Sequence, residues 1–369
     1  MYNGRVIKRL GYPTITPDTV INKFQGELPA KIERKFTEIG IDFPCRLNAD
    51  VLDRPNLAPN EKFVYPAGEI MVSIAKFVHV DLKYLGNDDG HLEIGEKVRR
   101  PSIVRHAYNL MCAVLEHTPS LKIDVDDSDI LVHCGFGSSG ATLGAIASAI
   151  NELYDKPIRE LDLVQYLVGN YAEEVSVDNE KYLKTVPASG GSLATGFLKS
   201  SIMVITGSGI RIGATQYKGK VVIGIPTDFS PKSAVEIMKK EENLLLHAKM
   251  LKSDTTLFRT LVNEALPNLV TGDFSALSKI VFNTRFNTKG IKYCSFMHAE
   301  LPKIAKNIRF LYEQKYCDML SLSSGGPAFF ALVSKKIDEQ IVINTFKKFG
   351  LKTEIVKPYN DSYKLTKKL

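Results

Sequence analysis

Residues 130–154 read ILVHCGFGSSGATLGAIASAINELY, and the fold turns on what GFGSSG does between an apolar run and an Ala/Gly-rich one. Ile130, Leu131 and Val132 read as the end of a buried strand, and Ser139 to Tyr154 has helical length and good helix formers. The loop therefore feeds a helix N-terminus. Gly135 and Gly137 permit backbone angles closed to other residues and carry no side chain to hold a ligand off. The unpaired amides of the first helical turn, with the helix dipole behind them, face any anion placed there. Ser138 and Ser139 add hydroxyls that donate to phosphate oxygens or hold a hydrated magnesium ion. No Lys follows the glycines as in a Walker motif, and Gly140 falls one position early for GxGxxG. By spacing alone, a tight strand-to-helix packing turn satisfies the stretch equally well.

Upstream, residues 70–84 alternate, with Ile70, Val72, Ile74, Val78, Val80 and Leu82 on one face, which predicts a long half-buried strand. Residues 102–116 set Ile103, Ala107, Leu110, Met111, Val114 and Leu115 on one helical stripe, and Leu121, Ile123 and Val125 alternate again. Downstream come a predicted helix at 160–174, the small-residue stretch PASGGSLATG at 187–196, and the strands SIMVIT and KVVIGIP. From about residue 230 the pattern turns mainly helical, at 231–251, 256–270, 273–284 and 300–315. A strand pair near 318–323 and 328–333 meets at SSGGP, followed by a helix at 337–349 and the strand KTEIVKP. The first 65 residues mix Pro, Asn and charge with only short periodic stretches such as Ile32–Ile39. The expected division is an accessory segment 1–65, a phosphate-binding α/β domain 66–229 and a second α+β domain 230–369, with no internal repeat.

The formal charge of +7 comes from 48 basic against 41 acidic side chains, with excess in the tail at Lys352, Lys357, Lys364, Lys367 and Lys368. That balance suits an anionic small molecule, and a solvated tail accounts for much of it; no aromatic-basic motif points to nucleic acid as a partner. No apolar run approaches the ~20 residues that cross a bilayer, so no membrane partner is expected. The N-terminal stretch lacks the long apolar run of a secretory signal. The five cysteines are scattered, odd in number and without metal spacing, which predicts reduced thiols and a cytoplasmic protein.

Two loops, GFGSSGA at 135–141 and SLSSGGPAFFAL at 321–332, together resemble the GHMP superfamily, named for galactokinase, homoserine kinase, mevalonate kinase and phosphomevalonate kinase. The resemblance implies an α+β two-domain fold, with an N-terminal ribosomal-protein-S5-like α/β domain and a C-terminal ferredoxin-like α+β domain. Within the superfamily, the C-terminal half is similar to beta-ribofuranosylaminobenzene 5'-phosphate synthase and related C-riboside synthases. Ser323-Ser324-Gly325-Gly326-Pro327 fits that group's S-S-x-G-P, and Leu266, Pro267, Asp273 and Phe274 fall in its L-P…D-F places. The kinase pattern S-G-x-D would put an aspartate near 190–195, where this chain has Ser189, Gly190, Gly191, Ser192 and Leu193. The first loop, in contrast, leans toward the kinases, since the synthases commonly carry G-x-G-[ST]-G-[TS].

The resemblance implies a transferase that joins 5-phosphoribosyl 1-pyrophosphate to a carbon acceptor, releasing pyrophosphate and CO2, with Mg2+ as cofactor. It assigns Gly135, Gly137, Ser138, Ser139 and Gly140 to the pyrophosphate, and Ser323, Ser324, Gly325 and Gly326 to the phosphoribosyl or acceptor side. Ser139, Glu173 and Glu174 are its metal candidates, the two glutamates being expected at the end of the helix 160–174. Arg105, His106 and His133 are candidate catalytic groups, and Arg211 a further anion contact, because Arg's planar fork suits a phosphate or carboxylate. The alternatives are an ATP-dependent small-molecule kinase and a non-catalytic GHMP-like binding protein. A homodimer is expected because relatives often pair.

Overall fold

The computed structural model describes residues 14–52, 67–177, 180–186, 188–206, 209–232, 236–237, 255–287 and 290–369. After a short strand β1 (Thr14–Ile15), two long strands dominate the main sheet, β2 (Glu38–Val51) and β3 (Glu69–Tyr84). In β2, Ile39, Ile41, Phe43, Cys45, Leu47 and Ala49 alternate and all are buried, the period of two that a strand packed on one face requires. Its antiparallel register with β3 shifts at Pro44/Cys45, a bulge that accommodates a residue unable to donate to the ladder. Residues 38–51, expected in an accessory segment, form a central strand instead.

β4 (Leu92–Ile94), α1 (Pro101–Leu115) and β5 (Leu121–Asp126) follow, with β5 antiparallel to the far half of β3 and parallel to β4. The helix after the glycine loop, α2 (Ser138–Leu153), is buried along its whole length and packs on β2, β3 and α1. Such burial needs small residues, which the Ala/Gly-rich sequence supplies. Ile130–Val132 do not end a strand. The Ile130 N–H bonds to Asp127 O at 2.9 Å, the Ser128 N–H bonds to Asp126 Oδ1, and Leu131 is exposed, so a polar turn runs straight from β5 into the loop.

α3 (Glu160–Gly169) stops five residues before the expected end, and β6 (Ala172–Val177) pairs with β7 (Glu180–Thr185), which pairs with β1. The stop comes at Asn170, whose Oδ1 accepts the Ile21 and Asn22 N–H groups and whose Nδ2 donates back to Tyr166 O and to Asn22 O. Glu173 and Glu174 therefore lie on a strand. The short helix α4 (Gly191–Ala194) precedes β8 (Ile202–Ile205), which pairs with the first half of β3 and with β9 (Arg211–Thr215).

β10 (Lys220–Pro226) belongs to the second sheet, between β12 (Phe329–Val333) and β13 (Leu351–Val356), with β11 (Met319–Leu322) outside β12. Helices at Thr255–Thr260 and Leu266–Val270 flank a π-helical turn, and further helices span Ser275–Phe282, Leu301–Ile308 and Glu339–Lys348. A second apolar core gathers around Phe329, Phe346, Leu320 and Val222. Of the expected helix 231–251, residues 233–235 and 238–251 lie outside the described residues.

Two strands cross the boundary expected near residue 230. β10 precedes it yet sits in the C-terminal sheet, and β14 (Lys364–Lys368) returns from the C-terminal half to pair antiparallel with β2. The lysines of this tail are partly engaged: Lys368 reaches Glu152 at 3.0 Å, and Lys367 pairs with Glu38. Among the described residues, no helix is long and apolar enough to cross a membrane.

Candidate functional site

Three stretches of small residues converge at the start of α2. Gly135 approaches Ser323 so closely that a Cβ there would lie 2.6 Å from Ser323 O, and a Cβ on Gly140 would lie 2.0 Å from Ser192 Oγ. Gly137, the residue before the helix, has φ +67° and faces Ser192 and the Arg46 guanidinium. Gly135 and Gly140 thus lack side chains so that the neighbouring chain can approach. The open part of the loop is narrower than expected, since protein already fills the space beside Gly135 and Gly140.

What remains is the first turn of α2, where Ser138 and Ser139 each keep 7% exposure. Ala141 is the first residue to bond back, to Gly137 O at 3.0 Å, so the amides of Ser138, Ser139 and Gly140 lead the helix with its dipole behind them. Over these serines lies Arg100, at the entry of α1. Its Nη1 donates to Ser138 Oγ (3.1 Å) and Ser139 Oγ (2.7 Å), and its Nη2 donates to Thr142 Oγ1 (3.2 Å) and Asp127 Oδ2 (2.5 Å). Asp127 is buried and also accepts from Arg99 Nε at 2.6 Å. Burial would raise its carboxyl, but the Arg99 and Arg100 guanidiniums outweigh that and hold it below the usual carboxylate range.

On the other side stands Arg46 of β2, whose Nη1 donates to Gly135 O at 3.0 Å. Its partner is Glu69 at the start of β3, fully buried, with Arg46 Nε 3.3 Å from Glu69 Oε1. Among the described residues these two atoms have no directed hydrogen bond. Glu69 Oε2 accepts from Ser189 Oγ at 2.8 Å and from Asn48 Nδ2. Its Oε1 points at Gly191, where a Cβ would sit 1.2 Å away. The stretch SGGS, which lacks the carboxylate of the kinase pattern, thus receives one from β3.

The second loop is tied to the first. Ser323 is fully buried; its Oγ donates to Gly135 O (2.7 Å) and accepts the Asn48 N–H (3.0 Å), while the Ser324 N–H bonds to Asn48 O (3.0 Å). Ser323 is therefore a latch between loops rather than a ligand contact. Ser324 and Gly325 stay partly exposed, and Gly326 is buried before a cis Pro327. Nearby, Arg285 donates to Ala49 O at 2.9 Å and pairs with Asp50, which ties the C-terminal half to the end of β2.

The expected catalytic groups divide. His133 stands at the mouth of the first loop in a left-handed conformation, φ +57°, matched by Ser324 at +53° in the second. Its imidazole is held below the usual range by burial, with Glu173 opposing and Arg100 adding. Arg105 is exposed on α1. His106 is buried, with Nδ1 facing Pro17 O (3.0 Å) and Nε2 facing Asn170 O (2.8 Å), so it ties the N-terminal segment to the end of α3. Arg211 begins β9 and is exposed.

The residues expected to hold magnesium do not fit that ion as a set. Ser139 Oγ is engaged by a guanidinium, and Glu174 Oε2 accepts the Ser102 N–H at the start of α1 (2.7 Å). Glu173 accepts from the Tyr171 hydroxyl and acts on the charge of His133. Among the described residues, no group of three or more His, Cys, Asp or Glu is placed to hold a metal.

Arg100, Asp127, Arg46, Asn48 and Glu69 are the site residues not anticipated from sequence. The available signal was the RR pair immediately before the proline that opens α1, opposite the DDSD turn.

A comparison with curated proteins finds no match. Residues 102–179, which run from α1 through the loop and α2 to β6, match the family described as GHMP kinases N terminal domain. The fold is similar to that of homoserine kinase from Cytophaga hutchinsonii, with 13% identity, TM-score 0.60, and coverage of 91% of this chain and 100% of that one. It is also similar to mevalonate pyrophosphate decarboxylase from Streptococcus pyogenes (13%, TM-score 0.57, 89% and 99%) and L. major mevalonate kinase (13%, TM-score 0.54, 89% and 99%). Residues 102–179 thus match the GHMP kinase N-terminal domain, and the two-domain α+β fold of the chain is that of these GHMP-type structures.

Proposed function

We propose that the protein is a GHMP-type transferase whose first loop holds the pyrophosphate of a small phosphorylated substrate. The SSGGP motif favours 5-phosphoribosyl 1-pyrophosphate: a bond forms from a carbon acceptor to the anomeric carbon as the bond to pyrophosphate breaks, and the acceptor's carboxylate leaves as CO2. The observation that carries this reading is how the carboxylates around the loop are used. Glu69 is committed to Arg46, Asn48 and Ser189, Asp127 to Arg99 and Arg100, and Glu173 to Tyr171. None stands ready to take a proton from an alcohol, whereas a departing pyrophosphate asks for positive charge and oriented amides, which the loop supplies.

ATP-dependent phosphorylation of a small alcohol is the second reading, favoured by the structural likeness to a homoserine kinase and a mevalonate kinase. Thermal unfolding with each ligand separates the two, with EDTA and with magnesium. A ligand at ~100 times its dissociation constant adds about 2.7 kcal/mol to stability. Stabilisation by 5-phosphoribosyl 1-pyrophosphate and pyrophosphate is expected; stabilisation by ATP alone selects the kinase, and by neither leaves a non-catalytic protein.

A further inference from the structure

The disagreement between the metal candidates and their surroundings centres on Arg100. A magnesium ion bound to Ser139 Oγ at the usual ~2.1 Å would lie within about 5 Å of Arg100 Nη1, which is itself 2.7 Å from that oxygen. The hydroxyl already serves a cation. We infer that Arg100 takes the place of the metal, so that the first loop receives a di- or triphosphate as the free anion, on the α2 amides and the Ser138 and Ser139 hydroxyls, with the guanidinium charge behind those hydroxyls.

The surrounding charges support this. Arg46 pairs with Glu69, while Asp127 is shared by Arg99 and Arg100, so the guanidinium over the serines shares its carboxylate with a second one, beside a helix end that is itself positive. A guanidinium at that end is unfavourable alone and becomes favourable when an anion joins it. Because Arg100 donates to both serine oxygens, the hydroxyl protons turn away from it and are free to donate to a ligand. Arg99, through Asp127, holds the fork in place. Ser139 then has a different role from the one expected, as a relay between guanidinium and ligand.

The inference rests on the reading of the loop as an anion site, and the test separates the two. Titration calorimetry on the full chain, with inorganic pyrophosphate and with ATP, is run in EDTA and in magnesium at equal free anion concentration. For wild type, pyrophosphate affinity in EDTA is expected within about threefold of that in magnesium, and Arg100→Met is expected to lose at least about tenfold in EDTA. Arg100→Lys, which keeps the charge without the fork, is expected to fall between them; it carries the test should Arg100→Met fail to fold. Binding that vanishes in EDTA, together with loss of the magnesium response in Ser139→Ala, places the ion on Ser139 and overturns the inference while leaving the anion site standing. Binding of neither anion under either condition overturns both.

Discussion

The two Gly/Ser loops look alike in sequence and do opposite work. The first, at 135–141, opens a sixteen-residue buried helix and presents leading amides and two hydroxyls under a guanidinium. The second, at 321–327, turns inward, and its buried Ser323 is held between Gly135 O and the Asn48 N–H. Small residues next to an apolar element are therefore compatible with a ligand cradle or with a clasp between chain segments. The difference lies in the element that each loop enters. A long helix leaves donors unpaired at its start, whereas a strand pairs its backbone at once, as Ser323 N–H does with Ala328 O.

The largest effect is expected from the pair that supports the first loop. Arg46→Ala would leave Glu69 buried without its partner, at a cost of about 3–5 kcal/mol in denaturant unfolding. Replacing both by apolar residues of similar volume should restore most of that stability but not ligand affinity, which would separate scaffold from binding. If the single variant loses under about 1 kcal/mol, the ion pair is not what positions the loop.

Ser323→Ala tests the clasp. It strands the Asn48 N–H and removes the bond to Gly135 O, and should cost about 1–3 kcal/mol. Ser138→Ala should cost less stability and more affinity, because in the proposed function the first loop faces the ligand. Equal losses in both properties from both variants would erase the contrast between the loops.

A smaller effect comes from His133. Its folded-state pKa is lowered by burial, with Glu173 opposing and Arg100 adding, so the unfolded chain takes up its proton at higher pH than the folded one. Stability should then fall as pH drops below the ordinary histidine value of about 6.5, and level off once the pH is below the folded value. His133→Asn should flatten that part of the stability curve; an unchanged curve would remove His133 from the loop's electrostatics. Smallest of all, Arg105→Ala and Arg211→Ala should each change stability by less than about 0.5 kcal/mol and leave binding intact. A loss of affinity in either would extend the site beyond the two loops.

Much of the fold was legible because periodicity is local. β3, α1, β5 and α2 each repeat at the spacing that their packing demands, and each forms where the pattern lies. β2 carries an equally regular alternation from Ile39 to Ala49, with Asp42, Arg46 and Asn48 on its other face, but Pro44 sits in the middle of the run and argues against an interior strand. Only pairing with β3 across a bulge makes it a strand. The end of α3 was equally hidden, because Asn170 is held by backbone from residues 21 and 22, far outside any local window. In the site, the glycines and serines were visible from spacing, while Arg100 and Glu69 act through partners 27 and 120 residues distant. Charge placed by tertiary contact leaves little trace in a motif.

The return of β14 to the edge of β2 has a consequence for how the molecule can be made. The hydroxyl of Thr37 donates to the carbonyl of Leu369, 332 residues downstream, and β14 lines the edge of the strand that bears Arg46. During synthesis β2 keeps an open edge until β14 has left the ribosome, which predicts slow assembly and a need to keep that edge from pairing elsewhere. A fragment cut near residue 230 would therefore yield a sheet with a missing border rather than an independent half.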